Sequence, residues 1–445
     1  MGRGAVRLIP YQFLRNQNHL LVVASGWGGK VVTALLQLVS IPLIINVVGL
    51  DQYAVFALLL ALAGWFALVD FGLGASLQNF ISECRVKGVD DASYRFTALV
   101  LLLISLVCFV CLAWFFSPLL GPLYLKGGSG LSEKDKTELF FMASLCAIAS
   151  GIGATSYKIW YAKRKGYWSN LLPPVLAIVA LGGVGWIGHS DLENKLIFVV
   201  AVYMGLNGLV PIALLVALTI LDYREAHLTW HNITALLHRG GHFFYFGILA
   251  AITLQADYLI ISQVMNHRDI VLYNIATKIF GMTLFLYNSL LVALWPVLTE
   301  LLARNNWDRV FFHIKWHIVG GMTFIIMCTA LLVIAMPNLV ELLLPQEQMI
   351  IPISLILLLG FYQVIRVWTD TFALILNSMS SLKPFFVLVP IQAVLSVILQ
   401  IAGARRFGLN GLVMGIIASF LFTVVWGLPW YVWRYYRDAS LKTVP

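Results

Sequence analysis

The 445-residue chain is 60% hydrophobic, only 11% charged, and carries a formal net charge of +9. Soluble domains hold about 25% charged residues, so a water-exposed globular fold is excluded. The positive excess would suit nucleic acid, but its distribution follows membrane topology, and no nucleic-acid partner is expected.

Apolar blocks long enough to cross a ~30 Å hydrocarbon core are predicted at 20–48, 53–80, 94–118, 137–161, 170–188, 196–221, 242–264, 271–299, 316–336, 351–377, 385–403 and 411–433. The blocks are continuous rather than alternating, which argues for helices and against barrel strands. The fold class is therefore an all-α polytopic membrane protein with 12 transmembrane helices. Arg3, Arg7 and Arg15 precede a first block too long for the apolar part of a signal peptide, so no cleavable signal is expected. With the N-terminus in the cytoplasm, 19 of the 29 Lys and Arg fall inside, seven outside and three within the membrane. The positive-inside rule then puts both termini in the cytoplasm, with Arg405–Arg406 as the exception.

The first block contains Lys30, about 15 Å deep at 1.5 Å per residue. Trp27, Lys30, Thr33, Gln37 and Ser40 recur at steps of three or four and share one helical face. A lysine at that depth costs at least about 3 kcal/mol unless it meets protein or water, so it is expected either to line a polar cavity or to pair with an acid on a neighbouring helix. In the second block, Asp70 lies within VDFGLGAS, where Gly72 and Gly74 could break the helix. It is expected to cap the resumed turn or to serve in ion coupling.

The longest connections, 119–136 and 222–241, are too short for a catalytic domain, and no enzyme activity is expected. The inner one contains H-L-T-W-H at 227–231, which lacks the glutamate of a zinc hydrolase. The five cysteines are scattered, mostly inside apolar runs, and outline neither disulfides nor a zinc site, and no cofactor is expected. Asp257 and Lys278 stand at equal depth on consecutive blocks, so an ion pair is expected there, structural or serving as a gate. Arg366 and Asp370, four residues apart on the tenth block, can satisfy each other. Trp65, Trp160, Tyr161, Trp295 and Trp368 are candidates to stack on a bound substrate or to anchor the interface.

The halves of the chain match at a fixed offset. Leu43-Ile44-Ile45 corresponds to Leu259-Ile260-Ile261, Tyr53 to Tyr273, Pro118 to Pro337 and Pro174 to Pro390. This spacing points to a duplicated six-span unit: an N-terminal bundle at 1–221, a cytoplasmic connector at 222–241 and a C-terminal bundle with its tail at 242–445. Because six is even, the two bundles would be related by a pseudo-two-fold axis along the membrane normal, with a substrate site between them.

Three stretches carry a family resemblance. IPLIINVVGLDQYAVFALLLALAGWFALVDFGLGASLQNFISE (41–83) resembles the first two helices of Wzx-type polysaccharide flippases, in the multidrug/oligosaccharidyl-lipid/polysaccharide exporter superfamily. YKIWYAKRKGYWSN (157–170) and LYNIATKIFGM (272–282) resemble its fourth-to-fifth and eighth helices. The resemblance implies a MATE-like fold and the movement of undecaprenyl-pyrophosphate-linked glycans, for O-antigen or other lipopolysaccharide assembly, across the bacterial inner membrane. It also implies membrane lipids, a polysaccharide polymerase and a chain-length regulator as partners. Lys30, Lys278, Arg366, Trp27, Gln37, Trp160 and Tyr161 are then the expected substrate-binding residues, and Asp70, Asp257 and Asp370 the ion-coupling or gating candidates. Two other functions fit the same composition. A cation-coupled drug exporter would favour a cavity dominated by carboxylates, and a glycan polymerase or ligase would need large outer loops.

Overall fold

The computed structural model describes residues 17–126, 130–220, 226–345, 349–379, 381 and 383–441. Arg3, Arg7, Arg15, Arg224 and Lys442 lie outside the described residues. All regular structure among those described is helical: α1 (Gln17–Val48), α2 (Leu50–Phe66), α3 (Leu73–Lys87), α4 (Ala92–Tyr124), α5 (Glu133–Gly153), α6 (Thr155–Ala162), α7 (Gly166–Gly188), α8 (Lys195–Ile220), α9 (Trp230–Val264), α10 (His267–Ala303), α11 (Trp307–Leu343), α12 (Ile353–Ser378), α13 (Lys383–Phe422) and α14 (Val424–Leu441).

Ten helical stretches among the described residues are long and apolar enough to cross a membrane; one of them, Lys383–Ala439, holds two of the expected blocks. It folds back on itself: Phe407 and Gly408 leave helical geometry, Gly408 with φ +60. The two arms then touch backbone to backbone. A Cβ on Gly403 or Gly411 would overlap the other's carbonyl oxygen. Arg405 and Arg406 sit exposed at this reversal. Gly411→Leu is accordingly expected to wedge the arms apart and lower stability by about 1–3 kcal/mol. Thermal unfolding in detergent would register this as a fall in Tm, and an unchanged Tm would mean the arms have room to spare.

Helix neighbours recur between the two halves of the chain. In the first, α1 packs on α7, α2 on α5, α4 on α5, α5 on α8 and α7 on α8. In the second, α9 packs on α13, α10 on α12, α11 on α12, α12 on α14 and α13 on α14. The halves meet where α1 and α2 touch α10, and where α2, α3 and α4 touch α9.

Two breaks depart from simple spans. The second block divides into α2 and α3, with Phe71 and Gly72 both at positive φ (50 and 69). The connector is partly helical: α9 starts at Trp230 rather than near 242, because Thr229 caps it, its hydroxyl accepting from the Asn232 amide at 3.2 Å. His227 therefore precedes the helix and does not share a helical face with His231.

Candidate functional site

A cavity of about 520 Å³ lies between the halves. Lys30, Thr33 and Gln37 of α1, Ser169 and Asn170 of α7, and Thr277 and Lys278 of α10 supply its polar lining. Among the described residues its lining has two lysines and no carboxylate.

Local chemistry sets this arrangement. On α1 the three-to-four-residue spacing carries Lys30, Thr33 and Gln37 onto one stripe, as expected. Gly29 sits so close to α7 that a Cβ there would overlap the Asn170 carbonyl oxygen. Asn170 also donates through Nδ2 to Ser25 Oγ at 3.2 Å and accepts from Tyr161 Oη at 2.5 Å. The α1–α7 seam is thus pinned at the level of Lys30. The Lys30 Nζ stands 5.1 Å from the Phe285 ring centre, a cation–π contact rather than an ion pair.

Lys278 lies about 17 Å along α10 from His267, and Lys30 about 27 Å along α1 from Val48, two ends brought to the same side by the Asp51–His267 contact, so the cations are staggered along the helices. The expected Asp257–Lys278 ion pair is not formed. Asp257 Oδ2 instead accepts from Tyr273 Oη at 2.6 Å, and Oδ1 from the Tyr258 amide at 2.8 Å. Equal depth did not mean facing sides: tyrosines satisfy the carboxylate, and Lys278 turns to the cavity, with Nζ 3.5 Å from Tyr53 Oη.

The other intramembrane charges lie elsewhere. Asp70 is 4% exposed and accepts from the Gly72 and Gly74 amides at 2.8 and 3.3 Å, with Lys158 Nζ at 3.0 Å. It caps the resumed helix, as one reading of the sequence expected. Arg366 and Asp370 do satisfy each other, at 3.0 Å, and Tyr362 Oη accepts from Arg366 at 3.2 Å. They line a separate cavity of about 160 Å³ with Thr253 and Gln392, apart from the lysines.

This pair gives a direct expectation. Arg366→Met alone strands a carboxylate and is expected to cost about 3 kcal/mol, whereas Arg366→Met with Asp370→Leu is expected to cost far less. Chemical denaturation of both variants would test this, and equal losses would contradict it.

Of the aromatic candidates, Tyr161 holds the cavity wall through Asn170. Trp27 is exposed on α1, and Trp160 lies against Tyr157 and Trp168 with ring centres 6.4 and 6.5 Å away. Neither tryptophan lines the cavity. Sequence reasoning missed Ser169, Asn170 and Thr277 as lining residues, and it missed Tyr53, which is outside the lining and accepts from Lys278. The first three carry a signal, being polar positions at the edge of or inside apolar blocks; Tyr53 carries only its match to Tyr273.

An all-helical membrane protein with a cationic cavity between two similarly packed halves defines the class. The chain belongs to the family described as polysaccharide biosynthesis proteins, whose profile matches residues 23–302. It is 36% identical to a Yersinia pseudotuberculosis protein named for O-antigen export, over 94% of this chain and 96% of that one. A Salmonella typhimurium strain LT2 protein named as an O-antigen transporter is 35% identical, over 94% of this chain and 97% of its own. The fold is that of a multidrug resistance MATE family transporter of the MOP superfamily, in an inward-facing conformation, with a TM-score of 0.73 at 13% identity, covering 93% of this chain and 96% of that one. The lipid II flippase MurJ, inward closed, gives 0.68 at 14% identity, covering 95% and 90%. The resemblance read at 41–83, 157–170 and 272–282 therefore extends along most of the chain.

Proposed function

We propose that the protein is a transporter that flips undecaprenyl-pyrophosphate-linked oligosaccharide units from the cytoplasmic to the periplasmic leaflet of the bacterial inner membrane. The observation that carries this reading is the cavity with Lys30 and Lys278 and, among the described residues, no lining carboxylate. A diphosphate bridging staggered lysines gains attraction from both. A cationic drug would meet repulsion from both, which disfavours the multidrug reading. The relatives named for O-antigen export or transport support a glycan cargo. Under this reading both termini are cytoplasmic, membrane lipids surround the helices, and a polymerase and chain-length regulator act on the exported units.

Alternating access would rock 1–221 against 242–445 about the 222–241 connector. The recurrent helix neighbours support two related six-helix halves. A diphosphate of about two negative charges moving outward from a negative interior gains roughly 2.3 kcal/mol per charge per 100 mV, so the potential alone could drive export. Among the ion-coupling candidates, Lys158 engages Asp70 and Arg366 engages Asp370. Asp257, held by tyrosine and backbone donors, is the carboxylate best placed for a proton-linked role.

Proteoliposomes loaded with defined lipid-linked glycans, with pH, sodium and voltage gradients imposed separately, test the proposal. Transport of the pyrophosphate-linked glycan is the expected result. Transport of cationic dyes without glycan would overturn it.

A further inference from the structure

We propose that Tyr53 is a positioning residue that reports occupancy of the lysine cavity to the outer closure between the two halves. This rests on the reading of that cavity as a diphosphate site.

Polar ties join the halves on the outer side. His267 Nδ1 and Asp51 Oδ1 are 3.0 Å apart, and Gln263 Nε2 donates to the Leu123 carbonyl at 2.7 Å. Below them, Tyr53 of α2 donates from its hydroxyl to Asn274 Oδ1 of α10 at 2.9 Å. Tyr53 is fully buried and Asn274 nearly so, so this bond between the halves is made without water. Asn274 is in turn fixed by Nδ2 donating to Tyr258 Oη at 2.9 Å. The Tyr258 ring stands edge-on to Tyr273, whose hydroxyl donates to Asp257.

The same Tyr53 oxygen accepts from Lys278, the cavity cation, at 3.5 Å. Lys278, Tyr53 and Asn274 thus form a one-way chain of donors, in which each donation polarises the next hydroxyl and strengthens its bond. The Lys278 link is long, and a neutral oxygen is a poor partner for an ammonium beside a diphosphate. An anion in the cavity draws Nζ away from Tyr53, removes the polarising charge and weakens the buried bond between the halves. Occupancy at the lysines then favours parting at the outer side, and an empty cavity keeps it shut. Among the described residues, the polar groups that share the cavity with Lys278 are Lys30, Thr33 and Gln37 from α1, Ser169 and Asn170 from α7 and Thr277 from its own helix, with Tyr53 of α2 accepting from it, so no carboxylate of the lining competes with the ligand.

The test is pulsed electron–electron distance measurement between spin labels at Lys126→Cys and Arg268→Cys, in a full-length cysteine-free background in nanodiscs, with farnesyl pyrophosphate as the probe. Binding of the probe is measured separately by calorimetry. In the parent, the probe is expected to move the distribution to longer distances. In Tyr53→Phe the long population should be present before the probe is added, with binding retained and no further shift. Asn274→Ala breaks the same bond from the other side and should behave alike, which guards against a folding defect in one variant. Binding without any change of distance in the parent, or parent-like closure in both variants, overturns the inference. Failure of the probe to bind the parent, with Tyr53→Phe still open, would instead count against the diphosphate site and leave Tyr53 as a structural tie only.

Discussion

Lys30→Glu and Lys278→Glu are each expected to abolish surface-glycan export in a deletion strain at matched protein level. Among the described residues the lining charges are two lysines, so each change converts attraction into repulsion at a site of two cations. A unit charge about 4 Å from a phosphate oxygen contributes about 4 kcal/mol at an effective dielectric near 20. Desolvation offsets part of this, and losing one charged partner at a buried site typically costs about 2–5 kcal/mol, or roughly 30-fold and upward. Lys30→Arg should keep part of the activity, because Phe285 can still stack against a guanidinium. Normal glycan display from either glutamate variant would remove that lysine from the site.

The second large effect is on folding. Gly72→Val is expected to remove most of the protein from the membrane. Gly72 has φ +69, and a Cβ there would overlap the Gly240 carbonyl oxygen where α3 meets α9. A β-branched residue meets strain in the left-handed region and a clash in the same place, a combined cost of about 3 kcal/mol or more. Asp70→Asn is a milder change: an amide oxygen can still accept from the Gly72 amide, while the ion pair to Lys158 is lost. Membrane levels by immunoblot should rank parent, Asp70→Asn, then Gly72→Val. A level for Gly72→Val equal to that of Asp70→Asn would show that the break tolerates a side chain.

Much of this was legible in the sequence because burial in lipid is so restrictive. Long apolar runs can only be helices when no water is present to satisfy the backbone, and Lys30 had to find shelter. Spacing along one helix was reliable: Lys30, Thr33 and Gln37 share the cavity, Arg366 meets Asp370, and Asp70 caps the turn its glycines break. Spacing between helices was not. Asp257 and Lys278 match in depth, but depth leaves the rotation of each helix about its axis undetermined, and that rotation gave the acid to Tyr273 and the lysine to the cavity. The same limit hid Asn170, whose place is fixed by contact of α7 with the bare backbone at Gly29. Trp27 lies on the same stripe by arithmetic, yet it is exposed and does not line the cavity.

The most direct measurement is the relative affinity for undecaprenyl pyrophosphate and undecaprenyl monophosphate, by native mass spectrometry of the purified protein. The parent should prefer the diphosphate by about tenfold, the equivalent of roughly 1.4 kcal/mol for the added charge. In Lys30→Met with Lys278→Met that preference should fall to near parity, while retention of the lipid tail persists. A diphosphate preference undiminished in the double variant would contradict the assignment of the two lysines.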